Sequence, residues 1–211
     1  MSTLNVAAIQ DVDAGGPKAT LPTSGGSNFT LGPNWGALEF VSSSNFTTAT
    51  TKAVEPPFVA GYDYQIEAEY FLPTDDTELL WMRLKDGSYQ SDATDYAWAW
   101  GTPSSAGTGD ASDAKIIVSG YSNGFINTTA AGLSNKITLC FADPAGTNDK
   151  TQVTWWGGMA HSDATPLGTA LVGIGQYITN TNAITGMQLL WSGGSTFQAA
   201  GRVVTYRRRR S

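Results

Sequence analysis

Two segments of the sequence, AITGMQLLW at 183–191 and TFQAAGRVVTY at 196–206, guide the interpretation of the whole chain. Alternate residues share one face of each segment, as Met187, Leu189 and Trp191 do in the first. A period of two is typical of β-strands. The linking SGGS contains a Gly-Gly pair, which between two such runs predicts a β-hairpin. We expect this hairpin to close a β-sandwich.

The composition is typical of an all-β protein with many short strands. The chain has 211 residues, of which 14% are charged, and it contains 24 glycines. A chain of this length commonly forms one domain and buries about 70% of its unfolded surface. We expect an antiparallel β-sandwich, or jelly roll, of about ten strands, with three parts: an extended N-terminal arm at 1–35, the sandwich at 36–206 and a basic tail at 207–211.

The clearest predicted strand lies at 62–70, where apolar and aromatic residues alternate with Asp63, Gln65, Glu67 and Glu69. Such a strand has one buried and one solvated face. The segment 102–113 is rich in Gly, Ser, Ala and Asp and predicts a mobile loop. Glycines 173 and 175 share one face of another predicted strand and indicate close packing against a neighbouring chain or sheet.

Charge is distributed unevenly along the sequence. The net charge is −6, so without the four arginines at 207–210 it would be −10 (−6 minus 4). An acidic body repels phosphate, and we expect the folded part to bind no nucleic acid. We interpret Arg207, Arg208, Arg209 and Arg210 either as a solvated terminus or as a tail that docks on an acidic surface or on nucleic acid.

The remaining sequence signals concern location and stabilisation. The first residues lack the basic start and apolar run of a secretory signal, and no run is long enough to span a membrane. The single Cys140 excludes an internal disulfide, and its position in a predicted strand indicates a buried, inert thiol.

No catalytic, cofactor or metal site is predicted. The only histidine, His161, is followed by Ser162 and Asp163, but adjacent residues point apart and cannot form a triad. The paired aspartates fall in predicted turns, where Asp bonds its own backbone. Loop calcium binding and a hydrolase pair remain as alternatives for these residues. They are Asp11 and Asp13, Asp75 and Asp76, Asp92 and Asp95, and Asp110 and Asp113.

Seven tryptophans offer a second kind of site. Trp81 and Trp191 alternate with Leu and Met, which predicts core positions. The adjacent residues Trp155 and Trp156 must point to opposite faces of a strand, so one ring is a candidate for exposure. We therefore assign glycan or subunit contacts to the less decided residues, which are Trp98, Trp100, Trp155 and Trp156.

The order of these features over 61–206 resembles jelly-roll domains of tailed-bacteriophage virion proteins of the tail-fibre, head-fibre or decoration type. The resemblance lies in YQIEAEYFLP, LLWMRL, YAWAW, KITLCFADPAG, GIGQYI and the final segment from Ile184 to Tyr206. In that family the final segment carries Ile, spaced glycines and Tyr, matched here by Ile184, Gly186, Gly194, Gly201 and Tyr206. The chain departs from the family after Tyr206, where arginines replace a small residue.

The resemblance implies a non-enzymatic structural protein that is located in the virion and assembled in the host cytoplasm. It implies a homo-oligomer, with a trimer favoured, and other virion proteins as partners, and it carries no catalytic residue. A host-surface glycan is a further candidate partner. A lectin-like carbohydrate-binding module, resting on the four tryptophans, and a glycan hydrolase, resting on the aspartates, are the alternatives.

Overall fold

The computed structural model describes residues 8–10, 17–20, 30–31, 38–75, 78–102, 105–119, 135–160 and 168–210. In these ranges the chain forms sixteen strands and no helix. They are β1 (Ala8–Gln10), β2 (Pro17–Thr20), β3 (Thr30–Leu31), β4 (Glu39–Asn45), β5 (Thr51–Val54), β6 (Tyr62–Glu69), β7 (Leu80–Asp86), β8 (Ser88–Tyr89), β9 (Tyr96–Thr102), β10 (Ser105–Asp113), β11 (Ile116–Ile117), β12 (Lys136–Phe141), β13 (Gln152–Ala160), β14 (Gly168–Tyr177), β15 (Gly186–Trp191) and β16 (Arg202–Arg209).

Two antiparallel sheets form the sandwich, which confirms the predicted fold class. The larger sheet has eight strands in the order β10-β9-β14-β13-β12-β6-β16-β4, and the smaller has the order β11-β7-β15-β5 with β8 paired to β7. The jelly-roll connectivity stays a prediction. In the predicted arm, β1, β2 and β3 form a small antiparallel sheet, and the rest of 1–35 lies outside the described residues.

Alternation along the strands builds one core between the sheets. In β6 the inward residues Tyr64, Ile66 and Ala68 are buried, while the intervening polar residues are partly exposed. Burial of apolar side chains from both sheets is the main stabilising contribution to such a fold. A hydrogen bond also joins the sheets, because the Leu84 amide of β7 donates to the Tyr96 hydroxyl of β9 over 2.8 Å.

The predicted closing hairpin is wrong. The strand β15 pairs with β5 and β7 in the smaller sheet, whereas β16 pairs with β4 and β6 in the larger one. The connection between them crosses from sheet to sheet. Its residue Phe197 is buried, and the Phe197 ring lies 5.1 Å from that of Trp191 and 5.0 Å from that of Phe46. The apolar residues after the Gly-Gly turn therefore fill the sandwich interior before the last strand begins.

A glycine permits the chain to re-enter the larger sheet after this crossing. Gly201 has a φ of +80°, a conformation that side chains with a Cβ rarely adopt. A Cβ there would also overlap the Glu69 carbonyl oxygen and lie 2.6 Å from that of Tyr70. The close approach of backbones requires glycine at this position.

The predicted loop at 102–113 is also wrong for most of its length. Residues 105–113 form β10, which pairs with β9 at the edge of the larger sheet. These residues have a low intrinsic propensity for strands. They form one here because their backbone can pair with the neighbouring strand β9. The predicted close packing of Gly173 and Gly175 is confirmed within this chain. A Cβ on Gly175 would lie 2.7 Å from Ile116 Cδ1 in the opposite sheet, and one on Gly173 would overlap the Trp155 ring.

In the part of the chain that the structure describes, no helix is long and apolar enough to cross a membrane.

Candidate functional site: the outer face of the larger sheet

The structure distributes the four candidate tryptophans over both faces of the larger sheet. Trp155 is completely buried, and Trp98 is 8% exposed and donates from Nε1 to Asp113 Oδ2 over 3.1 Å. Trp100 is partly buried against the core. Trp156 is 49% exposed. The four rings therefore share no single contact surface, and the pleat of β13 directs Trp155 and Trp156 to opposite sides as expected.

Trp156 belongs to an exposed apolar surface that the sequence analysis did not identify as a unit. It pairs across strands with Val172, and Ile174 follows on the same face of β14. Val172 is 58% exposed and Ile174 is 41% exposed. We call these three residues the outer patch. The neighbouring strand β9 has small residues on this face, such as Ala99 opposite Ile174, so the patch residues project beyond it.

The four arginines do not form a separate tail. Arg207, Arg208 and Arg209 are the last residues of β16, so the expected boundary at 206 moves to 209. The strand continues because the arginines pair along β6, where Arg208 lies opposite Asp63. Within the described residues, Arg209 has no ion pair.

Three of these arginines are held by acidic groups of this chain. Arg207 Nε donates to Glu39 Oε2 over 3.0 Å, and its guanidinium lies 4.7 Å from the centre of the Tyr62 ring. Hydrogen bonding to Glu39 raises the pKa of Arg207. Arg208 contacts Asp63 at 3.5 Å, and Arg210 contacts Asp63 and Asp143 at 3.5 and 3.6 Å. These contacts neutralise charge that an independent docking tail would offer to a partner.

A second charged cluster lies at the other end of the same face. Lys136 Nζ contacts Glu67 at 3.1 Å and Glu69 at 2.9 Å, and Arg202 contacts Glu69 at 3.2 Å. The hydrogen bond from Lys136 is the main reason why the pKa of Glu69 is lowered. These residues form the solvated side of β6 that the alternation predicted.

Two adjoining cavities lie between the outer patch and the arginines. The first, of about 340 Å³, is lined by residues that include Asp63, Gln65, Cys140, Thr154 and Arg208. The second, of about 440 Å³, is lined by residues that include Asp143, Asn148, Asp149, Lys150 and Arg210. Both are lined by Ala142 and Gln152, and we call them together the polar groove. No sequence motif marks Gln152 or Asn148, because isolated amides are common in strands and turns.

The other candidate residues take no part in the groove. Asp95 accepts hydrogen bonds from the Asp92 amide at 2.7 Å and the Thr179 hydroxyl at 2.7 Å, as a turn former does. Asp110 accepts one from the Ser112 amide at 3.0 Å. Among the residues that the structure describes, no group of three or more His, Cys, Asp or Glu could hold a metal ion.

Four further candidates lie outside the described ranges, namely Asp11, Asp13, Asp76 and His161. Cys140 is partly buried, and this burial raises the pKa of its thiol. A thiol with a raised pKa carries less of the reactive thiolate at neutral pH.

Comparison of the chain with protein-family models, with curated proteins and with solved structures found no match.

Proposed function

We propose that this protein is a non-enzymatic structural protein of a bacteriophage virion, and that copies of it associate through the outer patch. The proposal places it in the virion after assembly in the host cytoplasm, with a trimer as the favoured state. Its sequence support is the resemblance over 61–206. The final segment supports this resemblance only by its amino-acid sequence. Its two strands do not form the expected hairpin, because they lie in different sheets.

The outer patch is the observation that carries the proposal. Trp156, Val172 and Ile174 are large apolar side chains on two neighbouring strands, and each exposes about half of its surface. Contiguous exposed apolar surface on a folded protein marks a contact site. In a closed homo-oligomer every subunit repeats the same contact, so an exposed apolar patch on one copy is present on all of them.

Light scattering on the purified protein tests this proposal. We expect a trimer or a larger assembly, and we expect the double substitution Val172→Lys with Ile174→Lys to shift it to the monomer. Two charges placed on the contact would have to be desolvated without partners. The matched control is Val59→Lys, because Val59 is 43% exposed but lies outside the strands. A wild-type protein that stays monomeric at every concentration would contradict the proposal.

The lectin-like alternative is now supported by the polar groove rather than by four tryptophans, because one of those rings is fully buried and another is 8% exposed. The hydrolase alternative has no support of this kind. In the described part of the chain, Asp95 accepts from the Asp92 amide in a turn, Asp110 lies in β10 and not in the predicted turn, and Asp113 is held by Lys115 and Trp98.

A further inference from the structure

The polar groove follows from the side-chain sizes on the outer face of the larger sheet. Cys140 on β12 lies between Thr154 of β13 and Gln65 of β6, and Ala142 follows β12 at the end of the sheet. Cys140 and Ala142 are small and form the floor of the groove. The longer side chains of the flanking strands form its walls. A volume of about 340 Å³ for the first cavity alone is within the range of small-molecule sites.

The walls of the groove have hydrogen-bonding groups that other described residues do not use. The side chains of Gln152, Thr154 and Asn148 form no hydrogen bond within the described ranges. Arg208 donates one long hydrogen bond of 3.5 Å to Asp63, and Arg210 contacts Asp63 and Asp143 at 3.5 and 3.6 Å. Each guanidinium has five N–H donors, so most of them are free for a ligand.

The charges around the groove balance. Three acidic residues line it, namely Asp63, Asp143 and Asp149, and so do three basic residues, namely Lys150, Arg208 and Arg210. Such a lining gives little net attraction to an anion or a cation. It presents donors and acceptors side by side, which suits a neutral ligand whose groups both donate and accept.

We infer that the polar groove binds a neutral oligosaccharide of at least two sugar units. Hydroxyl groups are both donors and acceptors and match the mixed amide, guanidinium and carboxylate walls. The two cavities share Gln152 and Ala142, so a ligand filling both would extend over the Gln152 side chain. The groove adjoins the outer patch, because Thr154 lies opposite Ile174 and Gln176 of β14 lines the second cavity. None of the three patch residues lines either cavity, so sugar binding and self-association can be measured separately.

A glycan array with neutral, sialylated and sulfated members is the first part of the test, followed by titration of the full chain with the neutral disaccharides lactose, maltose, cellobiose and chitobiose. The titration is observed by the amide signals of the isotope-labelled protein. We expect binding of neutral glycans and shifts confined to residues of the groove. We expect Gln152→Ala and Arg208→Ala each to weaken binding about tenfold, the effect of one or two lost hydrogen bonds.

The matched control is Arg209→Ala, since Arg209 is the next residue of the same strand and lines neither cavity. It should bind as the wild type does. Three outcomes would overturn the inference: no glycan bound in either experiment, binding limited to sialylated or sulfated glycans, or binding that both groove substitutions leave unchanged. Loss of self-association in the β14 double variant, with sugar binding intact, would support the groove as a separate site.

Discussion

The inner and outer faces of the larger sheet differ most clearly at two adjacent residues of β13. Trp155 points inward and is completely buried, and its ring occupies the space left by Gly173 on the next strand. Trp156 points outward, is 49% exposed and lies beside Val172. The two residues have the same side chain and lie in the same strand. They differ only in the face of the sheet to which the side chain points.

The comparison shows where stability and function are located in this sheet. The inner face is fitted to the opposite sheet, and small changes there must be accommodated by close-packed neighbours. The outer face carries residues whose partners are solvent or other side chains of the surface. Substitutions on the inner face should therefore change the free energy of unfolding, and those on the outer face should change binding.

The largest difference is expected between Trp155→Ala and Trp156→Ala. Removing the buried Trp155 ring leaves a cavity beside Gly173, and we expect a loss of about 3–5 kcal/mol in the free energy of unfolding. For Trp156→Ala we expect less than about 1 kcal/mol, as is usual for exposed positions. Urea unfolding observed by circular dichroism measures both. Equal losses at the two positions would break the comparison.

A smaller difference is expected between two glycines. A Cβ at Gly173 would overlap the Trp155 ring and lie 2.8 Å from its Cη2, whereas one at Gly158 would meet nothing within 4 Å. Gly173→Ala should destabilise the protein by about 1–3 kcal/mol through overpacking. Gly158→Ala should leave the unfolding midpoint nearly unchanged. A neutral Gly173→Ala would show that the Trp155 ring can move without cost.

The smallest difference concerns two carboxylates and acid pH. Burial opposes ionisation of Asp113, but Lys115 at 2.7 Å, Trp98 Nε1 and the Ala114 amide together lower its pKa. The pKa of Glu69 on the outer face is lowered mainly by Lys136. A lowered pKa stabilises the fold above the unfolded value, and this contribution is lost as the pH falls through the folded value.

We therefore expect Asp113→Asn to cost about 1–2 kcal/mol at neutral pH, because a charged hydrogen-bond acceptor is lost. The difference from the wild type should disappear in acid. Glu69→Gln should cost less than about 1 kcal/mol and should respond to salt, as exposed ion pairs do. Urea unfolding at neutral and acid pH, with and without added salt, separates the two. An Asp113→Asn difference that persists in acid would exclude ionisation as its cause.

Alternation along single strands could be predicted well from the sequence. The pattern at 62–70 gives the inward and outward residues of β6 correctly, since burial follows directly from the pleat. It is wrong for Tyr70, which follows the end of β6 with a φ of +57° and is 59% exposed. The partner of a strand could not be predicted in the same way. Alternation specifies a face and not a neighbour, and the segments at 183–191 and 196–206 satisfy the hairpin pattern while joining different sheets.

The candidate site was predictable only in part. Adjacent tryptophans indicated that one ring of the pair at 155 and 156 would be exposed, and Trp156 is. The groove depends on which side chains lie together across β6, β12, β13 and β16, and this register is set by pairing between distant parts of the chain. For the same reason, the acidic partners of Arg208 and Arg210 are separated from them by long stretches of sequence.

The position of β4 has a consequence for the folding rate. The strand β4 is an edge strand of the larger sheet. Among the described strands its partner in that sheet is β16, with Ser44 opposite Val203. More than 150 residues of chain therefore separate β4 from its pairing partner. Contacts over such distances slow folding, because the entropy of closing the loop is lost before the contacts form. During synthesis β4 leaves the ribosome long before β16. It therefore has no pairing partner in the larger sheet until β16 has been synthesised.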